Sequence, residues 1–183
     1  MGALESRRNL ARPVHREKRL AGWFLRLSKD KMQITVYGLP APQGSKKFVG
    51  VKGGRGIMIE SCPAVRPWRE SIKCAAIESG GRVAGPVFFF LTFTLPRPRS
   101  ASKKRIWPDR KPDLSKLIRA VEDALTDAGV WEDDARIVMC LSAKYYVAQC
   151  PAALDRPGVV IVIEEAKRIY DDSLRVLESE IPN

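Results

Sequence analysis

The sequence predicts an α/β (α+β) domain, a small mixed β-sheet packed with helices. Three observations carry that prediction. Residues 87–95 form a nearly continuous apolar run, long enough for a buried strand and far too short to span a bilayer. Two windows, 64–79 and 112–128, repeat apolar residues at three- and four-residue intervals, the period of a helix with one buried face. Shorter stretches, including 33–39 and 136–147, alternate apolar and polar residues as half-buried strands do.

The elements follow in order. Ile34 and Val36 alternate toward a turn at Gly38, which gives a first strand. Residues 40–47 are rich in proline, glycine and lysine and read as a basic loop. Residues 56–60 make a short strand after a glycine-rich turn. Val65, Trp68, Ile72, Ala75 and Ala76 mark a helix that Gly80-Gly81 stops. The apolar run at 87–95 is a central strand, and a Pro/Arg/Lys-rich loop, 96–111, leaves it. Pro112 opens the next helix, with Asp113 as its cap or first-turn residue. Leu114, Leu117, Ile118, Val121, Ala124, Leu125 and Ala128 form its apolar stripe, and Gly129 ends it. Glu132-Asp133-Asp134 is a turn, 136–147 a strand, 159–163 a last strand and 165–180 a terminal helix. Residues 1–31 stand apart. They read as a basic N-terminal arm, either disordered or weakly helical, or as a stretch upstream of a natural start at Met32.

Charge narrows the function. The net charge is +11 over 183 residues. Residues 1–31 carry a net +6, residues 32–111 a net +11, and residues 112–183 a net −6. A basic majority beside a separate acidic region suits a protein that grips phosphates and holds a divalent cation. Other chemistries are disfavoured. The sole histidine, His15, lies in the arm, so a Ser-His-Asp or Cys-His mechanism has no base. The four cysteines, Cys62, Cys74, Cys140 and Cys150, include no Cys-x-x-Cys pair, which argues against a zinc site and for reduced thiols. No secretory signal or membrane span is evident, so a cytoplasmic protein is expected. Neither a membrane nor a nucleotide cofactor is expected among its partners.

Hydrolysis of a phosphodiester needs a nucleophilic water and relief of transition-state charge, which Mg²⁺ supplies when carboxylates converge on it. Asp113 at one end of the second helix and Asp133-Asp134 beyond the other are the candidates. A helix of about 16 residues is roughly 24 Å long. The two ends meet only if the helix is short or bent, or if the returning strand brings Asp134 back alongside Asp113. The same residues also read as an ordinary cap and an ordinary acidic turn.

The run KPDLSKLIRAVEDALTDAGVWEDDARIV at 111–138 resembles the signature of the RusA family of Holliday junction resolvases. That signature has a basic residue, Asp-x-Asp-Asn/Lys-Leu, a lysine four residues after the second aspartate, Asp-Ala-Leu, a glycine, and Asp-Asp before a strand. The segments GLPAPQGSK at 38–46, RPWR at 66–69 and PRPRS at 96–100 are similar to other parts of the family, in the same order. The resemblance spans about residues 32–164, which sets the expected nuclease domain, with 165–183 as a C-terminal helix or tail. It implies a homodimer that binds four-way junction DNA and makes paired symmetric cuts using Mg²⁺. It also implies Asp113 and Asp134 as metal-binding catalytic residues, with Asp133 beside them. Arg119 stands where the family has its functional lysine. It keeps the charge, though a guanidinium is a poorer proton donor than an ammonium.

One departure matters. Ser115 occupies the place of the family's second aspartate, and a hydroxyl is a weaker ligand. Glu122 lies seven residues on and shares a helix face with Ser115 and Arg119, so it is the expected replacement ligand. Asp123 is the weaker alternative. If nothing replaces the lost carboxylate, the chain is a non-catalytic junction-binding protein. Lys46, Lys47, Arg99, Lys103, Lys104 and Lys111 are the expected DNA contacts, in two basic loops flanking the acidic segment. Phe48 and Trp107 are candidates to stack on bases at an opened junction.

Overall fold

The computed structural model describes residues 31–44, 46–60, 62–102 and 104–166, with the backbone alone for residues 46, 47 and 58–60. The expected arm at 1–31, apart from Lys31, and the terminal helix beyond residue 166 lie outside the described residues, as does Lys103.

A four-stranded mixed sheet organises the chain. Strands β1 (Met32–Tyr37), β4 (Val87–Leu95), β5 (Ile137–Tyr146) and β6 (Gly158–Glu165) lie in the order β1-β6-β4-β5. β1 runs antiparallel to β6, β6 antiparallel to β4, and β4 parallel to β5. The parallel pair needs a crossover, which helix α2 (Leu114–Asp127) provides. The two central strands, β4 and β6, carry mostly buried apolar side chains. Helix α1 (Val65–Ser79) and α2 cover one face. Ile34, Phe89, Leu91, Phe93, Ile161 and Ile163 of the sheet meet Trp68 and Ile72 of α1 and Leu117, Val121 and Leu125 of α2 in one core.

Arg69 of α1 fastens the two helices, donating to Asp123 at 3.2 Å and to Asp127 at 2.6 Å on α2. Gly158 sits where β6 passes β1, and an added Cβ would run into the Val36 carbonyl oxygen.

Two local differences from the sequence reading bear on function. Residues read as a basic loop begin a second strand: β2 (Lys46–Lys52) pairs antiparallel with β3 (Arg55–Glu60), making a ribbon separate from the main sheet. The alternation was hidden by a register shift between Phe48 and Gly50. Pro112 does not open α2 either. It follows a cis peptide bond with Lys111, and the helix begins after Asp113.

Candidate active site

Asp113 is the N-cap residue of α2, in extended conformation, yet its carboxylate caps no backbone N–H. It pairs instead with Lys116, whose Nζ lies 3.3 Å from Asp113 Oδ2. The chain entering Asp113 is held from β5. Lys144 Nζ donates to the carbonyl oxygens of Arg110 at 2.8 Å and Pro112 at 2.9 Å. Asp113, Lys111 and Lys116 line a cavity of about 370 Å³, with Gly44 and Cys62 on its other walls.

Glu122 lies farther along α2. Burial pushes its carboxyl above the usual glutamate range, the charges of Asp134 and Asp123 push it the same way, and Arg119 opposes them. The raised proton affinity marks a half-buried carboxylate near other carboxylates, with Arg119 as an opposing charge. Cys140 of β5 faces this group, because burial and then Glu122 push its thiol upward. Asp123, the alternative ligand, is the one that Arg69 holds.

The turn beyond α2 is fixed from inside. Gly129 has a positive φ of 72°, which lets the chain leave the helix. Buried Trp131 then donates from Nε1 to Thr126 Oγ1 at 2.8 Å and sets its ring edge against Phe89 at 5.4 Å. Asp133 Oδ1 accepts from the Ala135 N–H at 2.8 Å, which closes the 3-10 turn Asp134–Arg136. Asp134 is exposed and has no ion-pair partner among the described residues.

The expected site residues therefore fall into two groups. Glu122, near the middle of α2, feels the charges of Asp134 and Arg119, whereas Asp113 is the N-cap of that helix. Glu122 is nine residues on from Asp113, about 13 Å along the helix. The returning strand brings Lys144 to Asp113, and Asp134 lies ten residues earlier, roughly 30 Å of extended chain away. Mg²⁺ takes oxygen donors of the kind these carboxylates offer. Within one chain the fit fails, since among the described residues no group of three or more His, Cys, Asp or Glu is close enough to hold a metal ion. Ser115 is exposed in the first turn of α2.

Of the expected DNA contacts, Lys46 and Lys47 open β2, Arg99 and Lys104 are exposed in the loop after β4, and Lys111 lies at the cavity. Trp107 is exposed against Tyr145, with ring centroids 5.7 Å apart. The sequence reading did not single out Lys116 or Lys144. Lys116 had a local signal, the i,i+3 spacing from Asp113. Lys144 had none, because its bonds cross more than thirty residues of sequence.

An α+β domain with carboxylates along one helix and its following turn, bordered by basic loops, suits an enzyme that acts on a phosphate polyanion. Within that class the assignment is specific. The family model for Endodeoxyribonuclease RusA matches residues 38–164, and the chain belongs to the RusA family of endodeoxyribonucleases, hydrolases that resolve Holliday junctions. No curated protein matches the chain. No helix among the described residues is long and apolar enough to cross a membrane.

Proposed function

We propose that this endonuclease cuts four-way junctions in a Mg²⁺-dependent reaction, as a homodimer that makes paired symmetric cuts. Asp113, Asp134 and Glu122 would be its metal-binding carboxylates, with Asp133 adjacent. The observation that carries this reading is the RusA family match over residues 38–164; at the site it is supported by Glu122, a half-buried carboxylate that feels the charges of Asp134 and Arg119. Such a group costs stability unless a cation or proton joins it. It also supplies the carboxylate that Ser115 lacks. Asp123 is bound to Arg69, which favours Glu122 over it.

The separation of Asp113 from Asp134 is the reason a second copy belongs in the proposal. β5 is an edge strand with Val138 and Leu141 exposed. Pairing two such edges antiparallel about a two-fold axis turns one chain end for end against the other. One chain's Asp113 then approaches the other chain's Asp134, and two equivalent sites form. A divalent cation held there would neutralise phosphate charge and lower the pKa of a bound water. Arg119 is a fixed positive charge for the scissile phosphate. The basic residues Lys46, Lys47, Arg99, Lys103, Lys104 and Lys111 would track the DNA backbone.

The test is a labelled four-way junction incubated with the full chain and Mg²⁺, beside Glu122→Gln and an EDTA control. Paired nicks that require the metal and fall at least tenfold in the variant are the expected result. Full activity of Glu122→Gln would remove it from the ligand set. A non-catalytic junction binder is the second reading, favoured by the serine at 115 in place of the family's second aspartate and by the Lys116 ammonium already paired with Asp113. It predicts a gel shift without nicks at any metal concentration.

A further inference from the structure

Beyond Lys46 and Lys47 at its base, the β2–β3 ribbon has no role so far, and its placement gives it one. Both of its ends lie at the Asp113 cavity: Gly44, just before β2, and Cys62, just after β3, line it. The entering chain is pinned there, since the Gln43 N–H donates to the Lys116 carbonyl at 2.9 Å. The ribbon does not join the four-stranded sheet. A two-stranded ribbon buries little of its own surface. Here Phe48 is 57% exposed and Val51 65% exposed.

The register sorts the two faces. Phe48 pairs with Met58 and Val51 with Gly56, so these positions share one face. Phe48 lies across Gly56, where an added Cβ would come within 3.2 Å of its ring. The glycine gives the ring a flat bed and leaves its outer side open. Lys52 pairs with Arg55 on the opposite face, at the tip. Residues 46–60 contain Lys46, Lys47, Lys52 and Arg55 against the single acid Glu60. Ile57, also exposed, shares the Lys52–Arg55 face. An open aromatic with four cations against one acid fits DNA better than an apolar protein surface. The cations hold phosphates, and the ring stacks on a base pair whose neighbour has been removed. At about 3.3 Å per residue, Phe48 stands roughly 13 Å from Gly44 at the cavity. That is on the order of four base steps along one strand.

We propose that the β2–β3 ribbon is the element that opens the junction centre: Phe48 and Val51 stack against the exposed base pair at the branch point, and Lys52 and Arg55 hold the flanking phosphates. It rests on the junction-cutting reading for its substrate, and its test is separable from that reading. A four-way junction carrying 2-aminopurine at the branch point reports unstacking by fluorescence. In EDTA no metal-dependent cutting intervenes.

Saturating wild-type protein should raise the fluorescence at least twofold. Phe48→Ser/Val51→Ser should lose most of that rise while binding the junction within about tenfold of wild type. Phe48→Tyr, which keeps a ring, should retain it. Lys52→Gln/Arg55→Gln should weaken binding to junction and linear duplex alike and flatten the salt dependence by about two units of slope. Thermal melting of each variant confirms that it is folded. An unchanged fluorescence rise in folded Phe48→Ser/Val51→Ser overturns the proposal. So does an altered oligomeric state in that variant with wild-type junction opening, which would assign the apolar face to a second copy. If wild-type protein opens the branch point but cuts no junction with any divalent metal, the nuclease reading fails and the ribbon proposal stands.

Discussion

Lys144→Met tests how the fold holds Asp113 in place. The lysine makes two bonds to backbone carbonyls, 2.8 Å to Arg110 and 2.9 Å to Pro112, the residue directly before Asp113. Methionine keeps most of the stem and removes the ammonium. A hydrogen bond from a charged donor contributes about 1.5–3 kcal/mol when well buried. The bond to Arg110 is exposed and the bond to Pro112 only partly buried, so solvent competes for both. A total of about 2 kcal/mol is the appropriate scale. For a domain of this size that corresponds to a fall in Tm of roughly 8 °C. The chain carrying Asp113 is then free to move, so cleavage should fall about tenfold while junction affinity changes less than about threefold. Thermal melting, a single-turnover cleavage assay and a binding titration give the three values. A Tm within about 2 °C of wild type, with unchanged cleavage, would refute the clamp.

Other perturbations separate stability from chemistry. The Glu122 carboxyl titrates above its unfolded value of 4.5. Its protonated form is therefore favoured in the folded state, and stability is lost as pH rises through the raised pKa. Glu122→Gln should accordingly be more stable than wild type at pH 8, with the advantage vanishing below about pH 4, as read by urea denaturation at both pH values. Arg69→Met removes pairs with Asp123 and Asp127 that are partly exposed, so a loss of about 1 kcal/mol is expected from the same measurement. Gly158→Ala sets a Cβ against the Val36 carbonyl and within 2.9 Å of Leu154 Cδ1. It should cost about 3 kcal/mol or more and lower the yield of folded protein.

The parts of the fold that were legible in the sequence are those written in local periodicity. Leu117, Val121, Ala124 and Leu125 repeat at helical spacing, and all four are buried. The run in β4 is apolar because both neighbouring strands and two helices exclude water from it. β2 was not legible, because Gly50 and the register shift beside it break the alternation that marks a strand. At the site, the sequence named the carboxylates but not their separation. Whether Asp134 returns to Asp113 depends on where β5 ends against α2, and Lys144 occupies that place. The choice between Glu122 and Asp123 also lay outside local pattern. It turns on Arg69, which is 54 residues from Asp123 in sequence.

Subunit mixing tests the central claim most directly. Asp113→Asn and Asp134→Asn should each fail to cut a four-way junction in Mg²⁺. Mixed and re-equilibrated, they form heterodimers in which one of the two sites has both aspartates intact, if each site draws Asp113 from one chain and Asp134 from the other. The predicted product is a junction nicked in one strand, without the paired second cut. No nicking from the mixture, with heterodimers demonstrated, would contradict an active site shared between two chains.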